Sequence, residues 1–127
     1  APYIVSVSAP DTIIRPIGID TTVFTLAALE VAVNDPNGLG DIQSCYLLFQ
    51  KPDFTYSNNS NPIVLNDDGI TDLNNGLWDD TENDGIYSRL ITIGVNNPLG
   101  IYRAYYYAQD ISGLISDVKI DTTVVIE

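Results

Sequence analysis

The feature that most constrains the fold is a two-residue alternation of apolar side chains with other side chains, which recurs in short runs. Three runs show this period most clearly: Leu29, Val31 and Val33; Cys45, Leu47 and Phe49; and Tyr102, Ala104, Tyr106 and Ala108. Successive side chains of a β-strand point to opposite faces of a sheet, so this period predicts strands with one buried face. The run at 42–50 carries apolar residues on both faces, which predicts a central strand.

Clusters rich in Gly, Pro, Asn and Asp separate these runs, as expected for turns between short strands. A helix is the rival interpretation for residues 26–31, because Ala and Leu favour helix, but the β-branched neighbours and the following turn favour a strand. The pattern predicts an all-β antiparallel sandwich of about seven strands, forming one domain over residues 1–127. The predicted strands are residues 3–8, 22–34, 42–50, 62–65, 86–93, 101–109 and 118–126, with 11–14 continuing the first edge after a kink.

Charge and residue types narrow the possible functions. The chain has 17 acidic and 5 basic residues, a net charge of −12 that repels nucleic acid backbones and anionic lipid. It has no histidine, so the commonest neutral-pH general base is missing. The single cysteine, Cys45, lies in an apolar run, which predicts a buried and unreactive thiol. We therefore expect neither an enzyme nor contact with nucleic acid or membrane.

Residues 66–87 form the most acidic part of the chain, with seven carboxylates and the only tryptophan. Asp80, Glu82 and Asp84 stand at alternate positions before Gly85, as in the first half of a calcium-binding loop. The twelfth position from Asp80 is Ile91, where an EF-hand requires a bidentate glutamate, so a complete EF-hand is excluded.

Two interpretations of this acidic stretch remain open. In the first, Asp and Asn accept hydrogen bonds from nearby backbone N–H groups and simply form turns. In the second, Asp80, Glu82 and Asp84 bind calcium, and the missing ligands come from Asp67, Asp68, Asp72 or Asp79, or from backbone carbonyls. Calcium is the expected ion because every candidate ligand is a hard oxygen, and it would relieve the repulsion between close carboxylates.

Aromatic residues provide a second candidate site. If the strands alternate as predicted, Tyr46 and Leu48 share an outer face with Tyr105 and Tyr107. Such a group could stack on a sugar ring or contact a neighbouring domain, or a loop of the same chain could cover it. Trp78 is either a plug beneath its own loop or an exposed platform for a ligand.

The order of the turn motifs resembles that of bacterial immunoglobulin-like or fibronectin-type-III-like domains of secreted proteins, lipoproteins and cell-surface proteins. The motifs are VNDPNGLGDI at 33–42, LNDDG at 65–69, NDGIY at 83–87, GIY at 100–102 and AQDISG at 108–113. The resemblance covers nearly the whole chain and implies a seven-stranded Greek-key sandwich that is used as a spacer, an adhesion unit or an accessory domain. The chain departs from antibody domains in lacking a disulfide pair and a tryptophan in the third strand.

The resemblance and the composition together predict a non-catalytic structural or protein-interaction module of a larger extracytoplasmic protein. Its expected partners are neighbouring domains or another extracytoplasmic protein. The alternative is a carbohydrate-binding accessory module that uses Trp78 and the outer tyrosines. Tyr102 is either a tyrosine corner, with its hydroxyl bonded to upstream backbone, or an ordinary core aromatic.

Overall fold

The computed structural model describes residues 1–20, 22–79 and 81–127. Its described part contains eight strands and no α-helix. The strands are β1 (Tyr3–Ser8), β2 (Thr12–Ile14), β3 (Phe24–Asn34), β4 (Ile42–Gln50), β5 (Ile63–Leu65), β6 (Ile86–Gly94), β7 (Gly100–Asp110) and β8 (Lys119–Ile126). Short 3₁₀ turns lie at Leu39–Asp41, Asn58–Ser60 and Leu73–Asn75.

The strands form two sheets, with the order β1-β3-β6 in one and β2-β8-β7-β4-β5 in the other. Every strand pair is antiparallel except β2 with β8, which run parallel. The chain crosses between the sheets in five connections, β1–β2, β2–β3, β3–β4, β5–β6 and β6–β7. The architecture is an immunoglobulin-like β-sandwich, which confirms the predicted fold class.

The core lies between the two sheets and contains the alternating residues identified in the sequence. Phe49 and Tyr102 stack there with their ring centroids 5.2 Å apart. Cys45 is fully buried, and this burial raises the pKa of its thiol to about 12, so the thiolate is strongly disfavoured. The largest fully buried side chains are Tyr102, Tyr106, Leu47, Leu65, Ile93, Val31 and Val125.

The helical alternative for residues 26–31 is wrong, since this segment lies within β3 and pairs with both β1 and β6. The segment at 11–14 also differs from the prediction, because β2 does not continue the edge formed by β1. It joins the other sheet beside β8. Pro10 has no N–H to donate to a ladder, and its carbonyl oxygen accepts a hydrogen bond from the Thr123 hydroxyl at 2.9 Å. This contact draws the chain onto the second sheet.

The connections β3–β4, β5–β6 and β7–β8 leave and re-enter the sandwich at the same end, which we call the acidic end. The backbone N–H of Ile111 donates to the carbonyl oxygen of Asp41 at 2.9 Å, which ties two of these connections together. The β5–β6 connection is tied to β3, because the Val33 N–H donates to the Gly85 carbonyl oxygen at 2.8 Å. The fold thus gathers carboxylates from distant parts of the sequence. The described acidic residues in or next to these connections are Asp35, Asp41, Asp67, Asp68, Asp72, Asp79, Glu82, Asp84, Asp110 and Asp117.

Candidate functional site

The β5–β6 connection, which contains the acidic stretch, packs along the outer edge of β6. Asn66 forms an isolated antiparallel bridge with Ser88, and the Leu90 N–H donates to the Gly76 carbonyl oxygen at 2.9 Å. The Ser88 hydroxyl donates to the Trp78 carbonyl oxygen. The stretch therefore satisfies backbone groups that would otherwise be free at a sheet edge.

Asp67 holds the two ends of this connection together. Its Oδ2 accepts a hydrogen bond from the Gly85 N–H at 2.9 Å, and its Oδ1 accepts from the Asp84 N–H at 3.3 Å. The Asn83 N–H donates to the Asp67 carbonyl oxygen at 3.1 Å. These are the backbone hydrogen bonds that the turn interpretation of the sequence predicted.

The same connection also brings carboxylates into one group. Asp67, Asp79 and Asp84 each offer an oxygen, and these oxygens lie within 4.8 Å of one another. Asp79 is only 4% exposed, and its Oδ2 accepts a hydrogen bond from the Gly69 N–H at 2.6 Å. Three hard oxygen ligands suit calcium better than zinc.

Only some of the calcium ligands predicted from the sequence belong to this group. Asp67 and Asp84 belong to it, whereas Asp68 and Glu82 are exposed and lie outside it. Asp80 lies outside the residues that the structure describes. Asp79, one of the further ligands that the sequence offered, belongs to the group, whereas Asp72 lies outside it.

Burial and crowding of charge both act on this site. Burial is the main reason that the pKa of Asp67 rises to about 6, and the neighbouring Asp84 carboxylate also raises it. Burial likewise raises the pKa of Tyr87 to about 12, with a further contribution from the Asp67 charge. The ionised form of Asp67 is therefore disfavoured at this site.

The outer tyrosine face, formed by Tyr46, Leu48, Tyr105 and Tyr107, lies on the two central strands of the five-stranded sheet. Tyr46 is paired with Tyr107, and Leu48 with Tyr105, across β4 and β7. The rings of Tyr46 and Tyr107 stack with centroids 5.5 Å apart and planes inclined by 22°. All four side chains are half-buried, so the face is neither sealed off nor fully open.

The β4–β5 connection extends this face. Gln50 bridges to Tyr56, whose ring lies 6.3 Å from that of Tyr105. The Arg103 guanidinium lies over the Phe54 ring at 5.7 Å from its centroid, and Phe54 is 67% exposed. Residues 51–61 lie between the predicted strands 42–50 and 62–65, and no aromatic contribution from them was predicted. The alternation of Phe54 and Tyr56 with polar neighbours is the signal that could have revealed it.

Trp78 does not belong to the outer tyrosine face. Its backbone lies beside β6, in the other sheet, and the residue is half-buried. The predicted interaction residues therefore lie at two separate sites. Trp78 lies beside β6, and the three tyrosines lie on the other sheet. Sequence alternation could align Tyr46 with Tyr107 but could not show which sheet the β5–β6 connection follows.

A groove of about 610 Å³ opens between β5 and β6, where the two sheets are not bridged by a strand. Asn58, Asn75, Arg89 and Asn97 give it a polar lining above apolar residues of both strands. None of the described lining residues is acidic. The described part of the chain also contains no helix long and apolar enough to cross a membrane.

Comparison with known proteins shows what this architecture is similar to. No protein-family model matches the chain, and no curated protein sequence matches it. The PKD domain of an M14-like peptidase from Thermoplasmatales archaeon SCGC AB-540-F20 is similar in structure, with a TM-score of 0.51 and 13% identity, over 99% of this chain and 96% of that one. A Niemann-Pick type C2 protein from the Japanese carpenter ant gives a TM-score of 0.46 and 7% identity, over 98% and 92% of the two chains. At this level of identity, the first likeness establishes an immunoglobulin-like fold.

Proposed function

We propose that this chain is a non-catalytic interaction module of a larger bacterial extracytoplasmic protein, and that its outer tyrosine face packs against another protein surface. The observation that carries the proposal is the stacked Tyr46–Tyr107 pair, which lies at the centre of a sheet and is only half-buried. Central strands hold side chains rigidly, so such a face binds with a small loss of conformational entropy.

The apolar surface extends beyond the tyrosines on both sides. Val64 of β5 is paired with Tyr46 and is 49% exposed, and Ile120 of β8 is paired with Tyr105 and is 52% exposed. Apolar residues therefore run across four neighbouring strands. A contiguous apolar face of this kind is typical of protein interaction sites, and aromatic residues are enriched in them.

The partner that fits this face is a folded protein domain, either a neighbour in the same protein or a separate extracytoplasmic protein. The flat sheet surface offers a broad contact area, and Arg103 and Gln50 supply polar groups at its border. The bacterial and extracytoplasmic assignment is supported by the resemblance of the turn motifs and by a composition that is rich in Asn, Thr, Tyr and Asp and poor in Lys.

Calcium belongs to this proposal as a stiffening ion for the acidic stretch. Asp67, Asp79 and Asp84 are the described residues that would hold it, since their oxygens lie close together. The ion would fix the connection that covers β6, but the outer tyrosine face would not depend on it, because that face lies on the other sheet.

Carbohydrate binding is the second candidate function. The specific observation that favours it is again the Tyr46–Tyr107 pair, because parallel aromatic rings offer a stacking surface to a sugar ring. Trp78 does not support this function, since it lies apart from the tyrosines.

Hydroxyl-radical footprinting tests the proposal by comparing the isolated chain with the same residues in intact source cells. We expect Tyr46, Tyr107 and Phe54 to be protected in cells, while Tyr3, which is exposed on the other sheet, is labelled equally in both. Equal labelling of the outer face in both samples would overturn the proposal. Binding of the isolated chain to a glycan array, lost in Tyr107→Ala with the fold intact, would establish carbohydrate recognition in its place.

A further inference from the structure

A second group of carboxylates lies at the acidic end, outside the acidic stretch. Asp35 follows β3, Asp41 precedes β4 and Asp110 ends β7. Each offers one oxygen, and these oxygens lie within 4.8 Å of one another. The three residues are distant in sequence and meet because Ile42, next to Asp41, is paired with Asp110 across the sheet.

Asp35 has an unsatisfied oxygen within this group. The residue is only 4% exposed, and its Oδ1 accepts a hydrogen bond from the Asn37 N–H at 2.8 Å. Its Oδ2 is buried and has no hydrogen-bond partner among the residues that the structure describes. Buried polar atoms in proteins are almost always paired, and a carboxylate oxygen requires a donor or a cation. Asp35 Oδ2 is therefore free to accept a hydrogen bond or to bind a cation.

Hydrogen bonds from backbone and side-chain groups hold the three residues in place without neutralising their charge. The Asp41 N–H donates to the Gly38 carbonyl oxygen at 3.1 Å, and the Asp41 carbonyl oxygen accepts from Ile111. Asp110 Oδ1 accepts from the Ser112 hydroxyl at 2.7 Å and from the Leu114 N–H at 2.9 Å. No lysine or arginine among the described residues forms an ion pair with these carboxylates.

The chemistry of the group fits a hard divalent cation. All three ligands are carboxylate oxygens, and nitrogen and sulfur ligands are absent from the group. Oxygens that bind one calcium ion at about 2.4 Å lie at most about 5 Å apart, and the observed separations fall within that limit. Calcium accepts irregular sets of ligands from loops and can complete its shell with water, whereas magnesium requires an almost ideal octahedron.

We propose that Asp35, Asp41 and Asp110 bind one calcium ion that joins the β3–β4 turn to the end of β7. This site is distinct from the group formed by Asp67, Asp79 and Asp84. It does not depend on what the outer tyrosine face binds.

Amide NMR spectra of the 127-residue chain, recorded while calcium chloride is added after EDTA treatment, provide the test. We expect saturable shifts of the amides of Asn37, Asp41, Ile111 and Leu114. In Asp35→Asn, which preserves side-chain shape and the Oδ1 acceptor, the dissociation constant should rise by at least about tenfold. Asp41→Asn, which alters a partly exposed side chain, should raise the dissociation constant in the same way. It serves as the test variant if Asp35→Asn fails to fold.

Asp84→Asn is the matched control, because it removes a carboxylate from the other group and leaves this site intact. The shifts around Asp41 and Ile111 should persist in that variant. Saturable shifts confined to residues 66–85, or no saturable shift anywhere at millimolar calcium, would overturn the proposal. An unchanged calcium affinity in both Asp35→Asn and Asp41→Asn would overturn it as well.

Discussion

The hydroxyl of Tyr102 donates a hydrogen bond to the carbonyl oxygen of Pro98, 2.7 Å away, across the connection between β6 and β7. Tyr102 is almost fully buried, so the sequence-based alternative of a tyrosine corner is the one that the structure adopts. The bond fixes the corner at which the chain passes from one sheet to the other.

Tyr102→Phe should therefore destabilise the protein although the ring remains in the core. The Pro98 carbonyl would lose its donor, at a cost of about 1–2 kcal/mol in the free energy of unfolding. Urea denaturation measures this difference. Tyr105→Phe is the control, because Tyr105 donates to Gln50 Oε1 at 3.0 Å in a half-buried setting. This control variant should lose less free energy of unfolding. Equal losses in the two variants would argue against a special role for the corner.

Gly85→Ala should lower the stability of the fold more than most glycine substitutions do. Gly85 has a φ of +81°, and a Cβ there would lie 3.0 Å from both the Val33 carbonyl oxygen and a methyl carbon of Leu39. Strain and steric clash together should cost about 1–3 kcal/mol or more. Gly40→Ala is the control, since no atom of the described residues lies within 4 Å of a Cβ at this position and its φ is not in the left-handed region. Similar thermal midpoints for both variants would contradict the close approach at Gly85.

Stability in EDTA should fall as the pH rises from about 4 to about 6. The pKa of Asp67 is about 6 in the folded state against an ordinary value of 3.8, so the folded state binds more protons in this window. The pKa values of Asp20, Asp53 and Asp110 are lowered, chiefly by side-chain hydrogen bonds from Thr22, Thr55 and Ser112, and their stabilising effect is lost only at lower pH.

Asp67→Asn should flatten this dependence, because the substituted residue does not titrate. Urea midpoints across the same pH window would check it in both proteins. An identical slope in the variant would show that another group is responsible.

Calcium should raise the thermal midpoint if the acidic stretch binds it. At a hundredfold excess over the dissociation constant, binding to the native state alone adds about 2.7 kcal/mol, which corresponds to several degrees. Asp84→Asn should remove the part of this rise that comes from the Asp67, Asp79 and Asp84 group, while Glu82→Gln, an exposed change outside the group, should retain it. A full rise in Asp84→Asn would assign the calcium effect elsewhere.

Strand existence was predictable from the sequence because alternation is a local property. Each of the runs that begin at Leu29, Cys45 and Tyr102 lies within a single strand. In the structure, the alternating residues of all three runs are buried in the core. The switch of β2 to the second sheet was not predictable, because it depends on a contact between Pro10 and Thr123, more than a hundred residues away.

The candidate sites show the same limit. Alternation placed Tyr46 and Tyr107 on one face, since both positions are set by strand period. The meeting of Asp35 with Asp110 depends on which strands pair and in what register, and the sequence alone does not give this. The only local signal was that both residues stand in turn motifs at strand ends.

The parallel pairing of β2 with β8 has a mechanical consequence. Thr12 pairs with Val124 and Ile14 with Ile126, the Arg15 N–H donates to the Ile126 carbonyl oxygen at 2.7 Å, and Arg15 forms an ion pair with Glu127 at 2.8 Å. Tension applied to the two ends of the chain would pull these strands in opposite directions along their length. Their hydrogen bonds would then be loaded in shear and would have to break together, so the sandwich should resist pulling far better than its small size suggests.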